Sequence, residues 1–127
     1  MKKILIIEPD YLLSKTYERY LTQQSFRVVL AGDAATAIKK LDKALVDVIV
    51  LELQLPGHSG FEFLHELRSY PEWLSIPVVI NSVIPKTELQ TKDLNSEFGI
   101  VNYLYKPTTS LSELGYILGR HLSTQVV

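Results

Sequence analysis

The chain has 127 residues, of which 46% are hydrophobic and 21% charged. That length supports one real core, and the apolar content is too high for a disordered segment. A net charge of −1 gives no field to recruit nucleic acid or anionic lipid, and the absence of cysteine excludes a disulfide framework, a thiolate metal site and a cysteine nucleophile. The opening lysines and the apolar run Ile4 to Ile7 are too short for a secretory signal, and Glu8 follows at once. No stretch approaches the length of a membrane span. The expectation is a soluble, cytoplasmic protein with one domain over residues 1–127.

In chain order, Lys3 to Ile7 reads as a strand buried on both faces. Asp10 is placed to cap a helix whose apolar stripe is Leu13, Tyr17, Tyr20 and Leu21. Gln23 to Ser25 breaks it, and Phe26 to Ala31 reads as the second strand. Asp33 caps a second helix with Ala34, Ala37, Ile38 and Leu41 inward. Val46 to Leu53, the most apolar run, reads as a central third strand. Ser59 and Glu62 form a capping box opening a third helix to about Ser69, ended by Tyr70-Pro71-Glu72-Trp73. Trp73 reads as packing between that helix and the next strand.

Ile76 to Asn81 is the fourth strand. A fourth helix is expected between Lys86 and Phe98, on the thin stripe Leu89, Leu94 and Phe98, with Gly99 as its C-terminal cap. Ile100 to Tyr105 is the fifth strand, ended by Pro107. Ser110 and Glu113 form a second capping box, opening a last helix with Leu111, Leu114, Ile117, Leu118 and Leu122 on its apolar face. Five β-α units with short connections imply a parallel sheet with helices on both faces. Such a sheet carries its site beyond the carboxyl ends of the strands.

The residues at those ends are Glu8, Pro9 and Asp10; Glu52 and Gln54; Asn81 and Ser82; Lys106 and Pro107. Clustered carboxylates suit a hard cation bound through oxygen, and a lysine with a hydroxyl suits phosphoryl oxygens. Taken singly, each has a bland explanation as a helix cap, a loop end or a surface cation. The set stands out because its members fall at four strand ends. The three histidines, His58, His65 and His121, lack metal-ligand spacing and read as surface residues. Neither Ser59 nor Ser82 has histidine and acid partners for a nucleophilic triad. No glycine-rich loop follows the first strand, which disfavours a flavodoxin-like cofactor site.

The segments ILIIEPD, DVIVLELQLPGHSGFEFLHELR, IPVVINSV and FGIVNYLYKP together resemble the response-regulator receiver domain of two-component signalling. The resemblance spans the chain and implies the flavodoxin-like (βα)5 fold with strand order 2-1-3-4-5. It implies a phosphoryl-acceptor position at Glu52, phosphoryl-oxygen contacts at Ser82 and Lys106, and a switch aromatic at Tyr103. It implies a first metal-site acid at Glu8, with Gln54 offering a backbone carbonyl, and a cis bond between Lys106 and Pro107. It also implies protein partners, with the last helix face as a possible homodimer surface.

Two positions depart from the family pattern: the acceptor aspartate is Glu52, and the second metal-site acid is Pro9. Ser59 in place of a loop aspartate is a milder change. Glutamate moves the carboxylate by roughly 1 Å, a displacement able to slow in-line transfer about a hundredfold. Without an acid at Pro9, magnesium binds weakly at best; Asp10 is no substitute if it caps the first helix. The sequence therefore points to an atypical receiver that works by protein–protein contact without aspartyl phosphorylation. A phospho-acceptor with altered chemistry on Glu52 is the alternative. Glu52 itself reads either as a partial mimic of the phosphorylated acceptor or as an inert partner of Lys106, and a direct Glu52–Lys106 pair is expected.

Overall fold

The computed structural model describes residues 1–122. Its strands are β1 (Lys3–Ile7), β2 (Arg27–Ala31), β3 (Val48–Leu51), β4 (Val78–Ser82) and β5 (Ile100–Tyr105); its α-helices are α1 (Tyr11–Gln23), α2 (Ala34–Lys43), α3 (Gly60–Leu67) and α4 (Leu111–Leu122). The five strands form one parallel sheet in the order β2-β1-β3-β4-β5, so β3 is central as the apolar run implied. Period-two alternation sends successive side chains to opposite faces. Leu5, Ile7, Ile49, Leu51, Val78 and Ile80 pack with α2, α3 and the buried Trp73 and Phe98. Ile4, Ile6, Val48, Val50 and Val79 pack on the other face with α1 and α4. The leucine stripe of α4 is spent there: Leu114, Leu118 and Leu122 are buried, while Tyr116 points outward, 66% exposed.

The caps follow the sequence. Asp10 accepts from Leu13 N at 3.0 Å and Asp33 from Thr36 N at 2.8 Å. Both halves of the Ser59–Glu62 capping box are present, and Ser110 Oγ accepts from Glu113 N at 3.1 Å. The connection between β4 and β5 differs from expectation. In place of a fourth helix there are three short 3-10 turns, Lys86–Glu88, Thr91–Leu94 and Ser96–Phe98. The reason is local: Gln90 and Asp93 bond reciprocally, and Asn95 Oδ1 captures Glu97 N. Such side chains offer the backbone partners that a continuous helix would otherwise supply. Gly99 does cap the last turn, at φ +70°. The Lys106–Pro107 peptide bond is trans, contrary to the expectation from resemblance, and Lys106–Thr108 forms a further 3-10 turn.

One close approach fixes the loop that follows β3. Gly60 N donates to Leu53 O at 2.8 Å, and a Cβ at Gly60 would lie 2.7 Å from Leu53 Cα. Backbone cannot yield there as a flexible side chain would. Gly60→Ala is expected to lower stability by about 1–3 kcal/mol in a urea titration, and a midpoint within error of the parent would show that the loop is freer than this contact implies.

Candidate functional site

The carboxyl ends of β1, β3, β4 and β5 converge, as parallel strands require, and deliver Glu8, Glu52, Ser82 and Lys106 to one pocket. Glu52 is 2% exposed, Glu8 4% and Ser82 0%. Lys106 Nζ lies 2.6 Å from Glu52 Oε1 and 2.5 Å from Glu8 Oε1, so the expected pair exists and is extended to a second carboxylate. Glu52 collects four donors. Oε1 accepts from Lys106 and from Val83 N at 3.1 Å; Oε2 accepts from Gln54 N at 3.0 Å and from the Ser82 hydroxyl. The far oxygen of Glu8 accepts from Asp10 N at 3.0 Å. Asp10 Oδ1 accepts from Leu13 N, so Asp10 caps α1 while it also lines the pocket.

The electrostatics follow from these contacts. Burial pushes the Glu52 carboxyl up, but hydrogen bonds from Gln54 N–H, Lys106 and Ser82 outweigh it and hold Glu52 below the usual carboxylate range. Burial presses the Lys106 ammonium down, and hydrogen bonds to Glu52 and Glu8 more than restore it, leaving it raised. Both groups are therefore charged at neutral pH.

Tyr103 sits one link away. The Ser82 oxygen accepts from Ile84 N at 3.1 Å, and the Tyr103 hydroxyl donates to Ile84 O at 2.5 Å. Burial first, then the negative charges of Glu52 and Glu88, push the Tyr103 phenol up to about 12. A hydrogen-bonded chain thus runs Glu52–Ser82–Ile84–Tyr103. Sequence reasoning brought together Glu8, Glu52, Ser82, Lys106 and Tyr103. It missed Val83 N and both backbone groups of Ile84, for which no residue type is a signal. It placed Asn81 at the end of β4 and Tyr17 on the stripe of α1 without pairing them: Asn81 Nδ2 donates to Tyr17 OH at 3.0 Å in the buried core under α1. The histidines stay outside the pocket; His65 packs edge-on against Phe98, and His121 bonds Asn102.

The family model for the response regulator receiver domain matches residues 4–115. The chain belongs to the response-regulator receiver family. This receiver is 32% identical over 109 residues to the transcriptional regulatory protein MalR of Bacillus subtilis, covering 84% of this chain and 45% of the relative. It is 31% identical over 104 residues to the probable transcriptional regulator ycf29 of Porphyra purpurea, covering 82% and 49%. The receiver therefore spans about half the length of these curated relatives. Among solved structures it resembles a two-component response regulator from Clostridium difficile (TM-score 0.86, 25% identity, all of both chains) and chemotaxis protein CheY4 of Vibrio cholerae (TM-score 0.85, 25% identity, 96% and 99%). Receiver domains are signalling modules of two-component systems. Among the described residues no helix is long and apolar enough to cross a membrane.

Receiver domains in general bind Mg2+ at the phosphorylation site, and the residues of this receiver do not fit that ion. A hard divalent cation takes about six oxygen ligands. Among the described residues Glu8 and Glu52 are the buried carboxylates of the pocket, with Asp10 in its lining as the cap of α1, and each of the four oxygens of Glu8 and Glu52 already accepts a hydrogen bond. Pro9 brings no side-chain oxygen, and Gln54 enters the pocket through its N–H.

Proposed function

We propose that this receiver is a fixed-state signalling module that acts by protein–protein contact without aspartyl phosphorylation. The observation that carries the reading is the filled coordination of Glu52. A carboxylate offers about four lone-pair sites, and Glu52 accepts four hydrogen bonds. A nucleophile in phosphoryl transfer must present a lone pair in line with phosphorus. None is left without first breaking a buried contact. The groups that the family resemblance assigns to phosphoryl oxygens, Lys106 and Ser82, are held by Glu52 itself.

Of the two readings of Glu52, the geometry favours the partial mimic. An inert neutralising pair needs only Lys106. Glu52 also engages Ser82 and Val83 N, and through Ser82 and Ile84 its charge is linked to Tyr103 on β5. It supplies one negative charge where a phosphoryl group brings nearly two, so the mimicry is partial. The partner is a protein, and the surface offered to it is β5 with the outward side of α4, where Val101, Tyr105 and Tyr116 are exposed. The transcriptional regulators it resembles are longer, which supports an output region as one such partner.

The test is incubation of the purified protein with Mg2+ and acetyl phosphate, followed by intact-mass measurement. The mass is expected to stay unchanged, while Pro9→Asp/Glu52→Asp gains one phosphoryl group. A phosphoryl adduct on the unaltered protein would instead establish an acceptor with altered chemistry on Glu52.

A further inference from the structure

We propose that the pole at the amino ends of β3 and β4 is a self-association surface, on which a second copy of this chain docks through Leu45 and Leu74. The inference is independent of the reading of Glu52, because this pole lies at the opposite end of the strands from the pocket.

Apart from Met1, the exposed large apolar side chains fall into three groups. Tyr11, Leu12 and Val83 lie at the pocket end, Val101, Tyr105 and Tyr116 lie on β5 and α4, and Leu45, Tyr70 and Leu74 lie at the amino-end pole. Leu45 is 73% exposed and Leu74 57%. One exposed leucine is ordinary, but a group of them around a recess marks an interaction surface. The recess holds about 260 Å3; Leu41, Ala44, Leu45 and Trp73 give it apolar walls, and Lys43 and Glu72 are charged residues in the same lining. Leu74 follows Trp73 directly, and Tyr70 leans on Trp73 with ring centroids 4.7 Å apart.

The fold explains why both leucines point outward. Ala44 leaves α2 in extended backbone, at φ −159° and ψ 138°, and strand-like alternation then buries Val46 and turns Leu45 out. After the 3-10 turn Pro71–Trp73, the buried Trp73 and Ile76 enter the core and Leu74 between them does not. Neither leucine serves the core, so a polar residue would suit each place as well. Leu74 also sits on held backbone: its N donates to Pro71 O at 3.4 Å, and Arg68 Nη1 donates to Trp73 O and Leu74 O. An anchor on ordered backbone loses less entropy when it docks.

The charges select the partner. A two-fold interface brings one patch against itself, so a lining of one sign repels its mate and a lining of both signs pairs with it. Lys43 and Glu72 are both exposed, and among the described residues neither forms an ion pair within the chain. Across a two-fold axis, Lys43 of one copy meets Glu72 of the other, and each Leu74 covers the recess beside the other copy's Trp73. The net charge of −1 leaves the two copies little mutual repulsion. The patch is small, so the dimer is of the weak, concentration-dependent kind. Pairing at this pole leaves the carboxyl ends of the strands free in both copies, so one dimer offers a partner two of them.

Sedimentation velocity from micromolar to millimolar protein reads the association. The average coefficient of the parent is expected to rise with concentration toward that of a dimer. Leu74→Asp and, separately, Leu45→Asp should each weaken the dimer at least about tenfold, with the urea midpoint unchanged because both side chains are exposed. Lys43→Glu should weaken it too, and adding Glu72→Lys should restore most of the loss. A parent that stays monomeric throughout overturns the proposal and leaves the patch to an apolar segment of a different protein. Association that both leucine variants leave intact, or that Tyr116→Asp on α4 abolishes instead, also overturns it. If a leucine variant fails to fold, the charge pair decides: loss with Lys43→Glu and recovery with Glu72→Lys supports the proposal, and no loss or no recovery refutes it.

Discussion

Glu52→Gln is expected to lower the unfolding free energy by roughly 3 kcal/mol at neutral pH. Glutamine keeps the shape and removes the charge. It also places an NH2 group among four converging donors, so that at least one of Val83 N, Gln54 N, Ser82 or Lys106 loses its acceptor. Lys106 keeps Glu8 as a partner, which limits the loss. The measurement is a urea midpoint at constant slope. A midpoint shift too small to resolve would show that the pocket is a loosely held surface cluster.

The pH dependence sharpens this expectation. Glu52 titrates in the folded protein below its ordinary value of 4.5. A depressed carboxyl contributes stability that is fully present above the unfolded value and is lost as pH falls through the folded one. Lys106 is raised above 10.5, so its contribution is complete below that value and lost as pH rises through the folded one. The difference between parent and Glu52→Gln should therefore be flat around neutrality and shrink only below about pH 4.5. A difference that persists unchanged in strong acid would assign the effect to packing.

Arg68→Ala is expected to be at least as damaging, about 3 kcal/mol, although Arg68 lies outside the pocket. Among the described residues its guanidinium has no carboxylate partner. It donates instead to four backbone carbonyls: Phe98 at 2.9 Å, Trp73 at 2.8 Å, Leu74 at 3.3 Å and Ile76 at 2.6 Å. Those carbonyls belong to the turn before β5, the turn after α3 and the entry to β4. One side chain thus joins three backbone segments, and its loss leaves part-buried acceptors without a donor. The planar fork is what permits this, so Arg68→Lys should recover less than half of the loss. Full recovery by lysine would show that charge, not geometry, is the useful property. The fit is close: a Cβ at Gly99 would lie 2.5 Å from Arg68 Nη2.

Much of this was legible in the residues. The fifth strand, Ile100–Tyr105, was bounded correctly because Gly99 and Pro107 punctuate it. The caps at Asp10, Asp33 and Ser59 were legible because capping is local chemistry between a side chain and an N–H two or three residues on. Strand β3 is shorter than its apolar run, since Val46 and Leu53 are buried without pairing in the ladder. The Glu52–Lys106 pair was legible through the family pattern and not through spacing, as the partners are 54 residues apart. Arg68 gave no signal, because an arginine that binds carbonyls looks like any surface arginine in a sequence. The expected fourth helix failed for a physical reason: Leu89, Leu94 and Phe98 are too sparse to reward helix formation, and Asn95 and Asp93 compete for the backbone.

The three turns between β4 and β5 have a consequence for how this surface can change over generations. An α-helix shares one register, so inserting or deleting a residue rotates every later side chain by about 100°. Here each turn closes on its own, through Leu89 N to Lys86 O, Asp93 N to Gln90 O and Phe98 N to Asn95 O. A change in one turn is not passed on to the next. The segment can gain or lose residues and re-present its side chains while Arg68 and Gly99 keep the entry to β5 fixed. The scaffold is conservative on one side of that clamp and freely editable on the other.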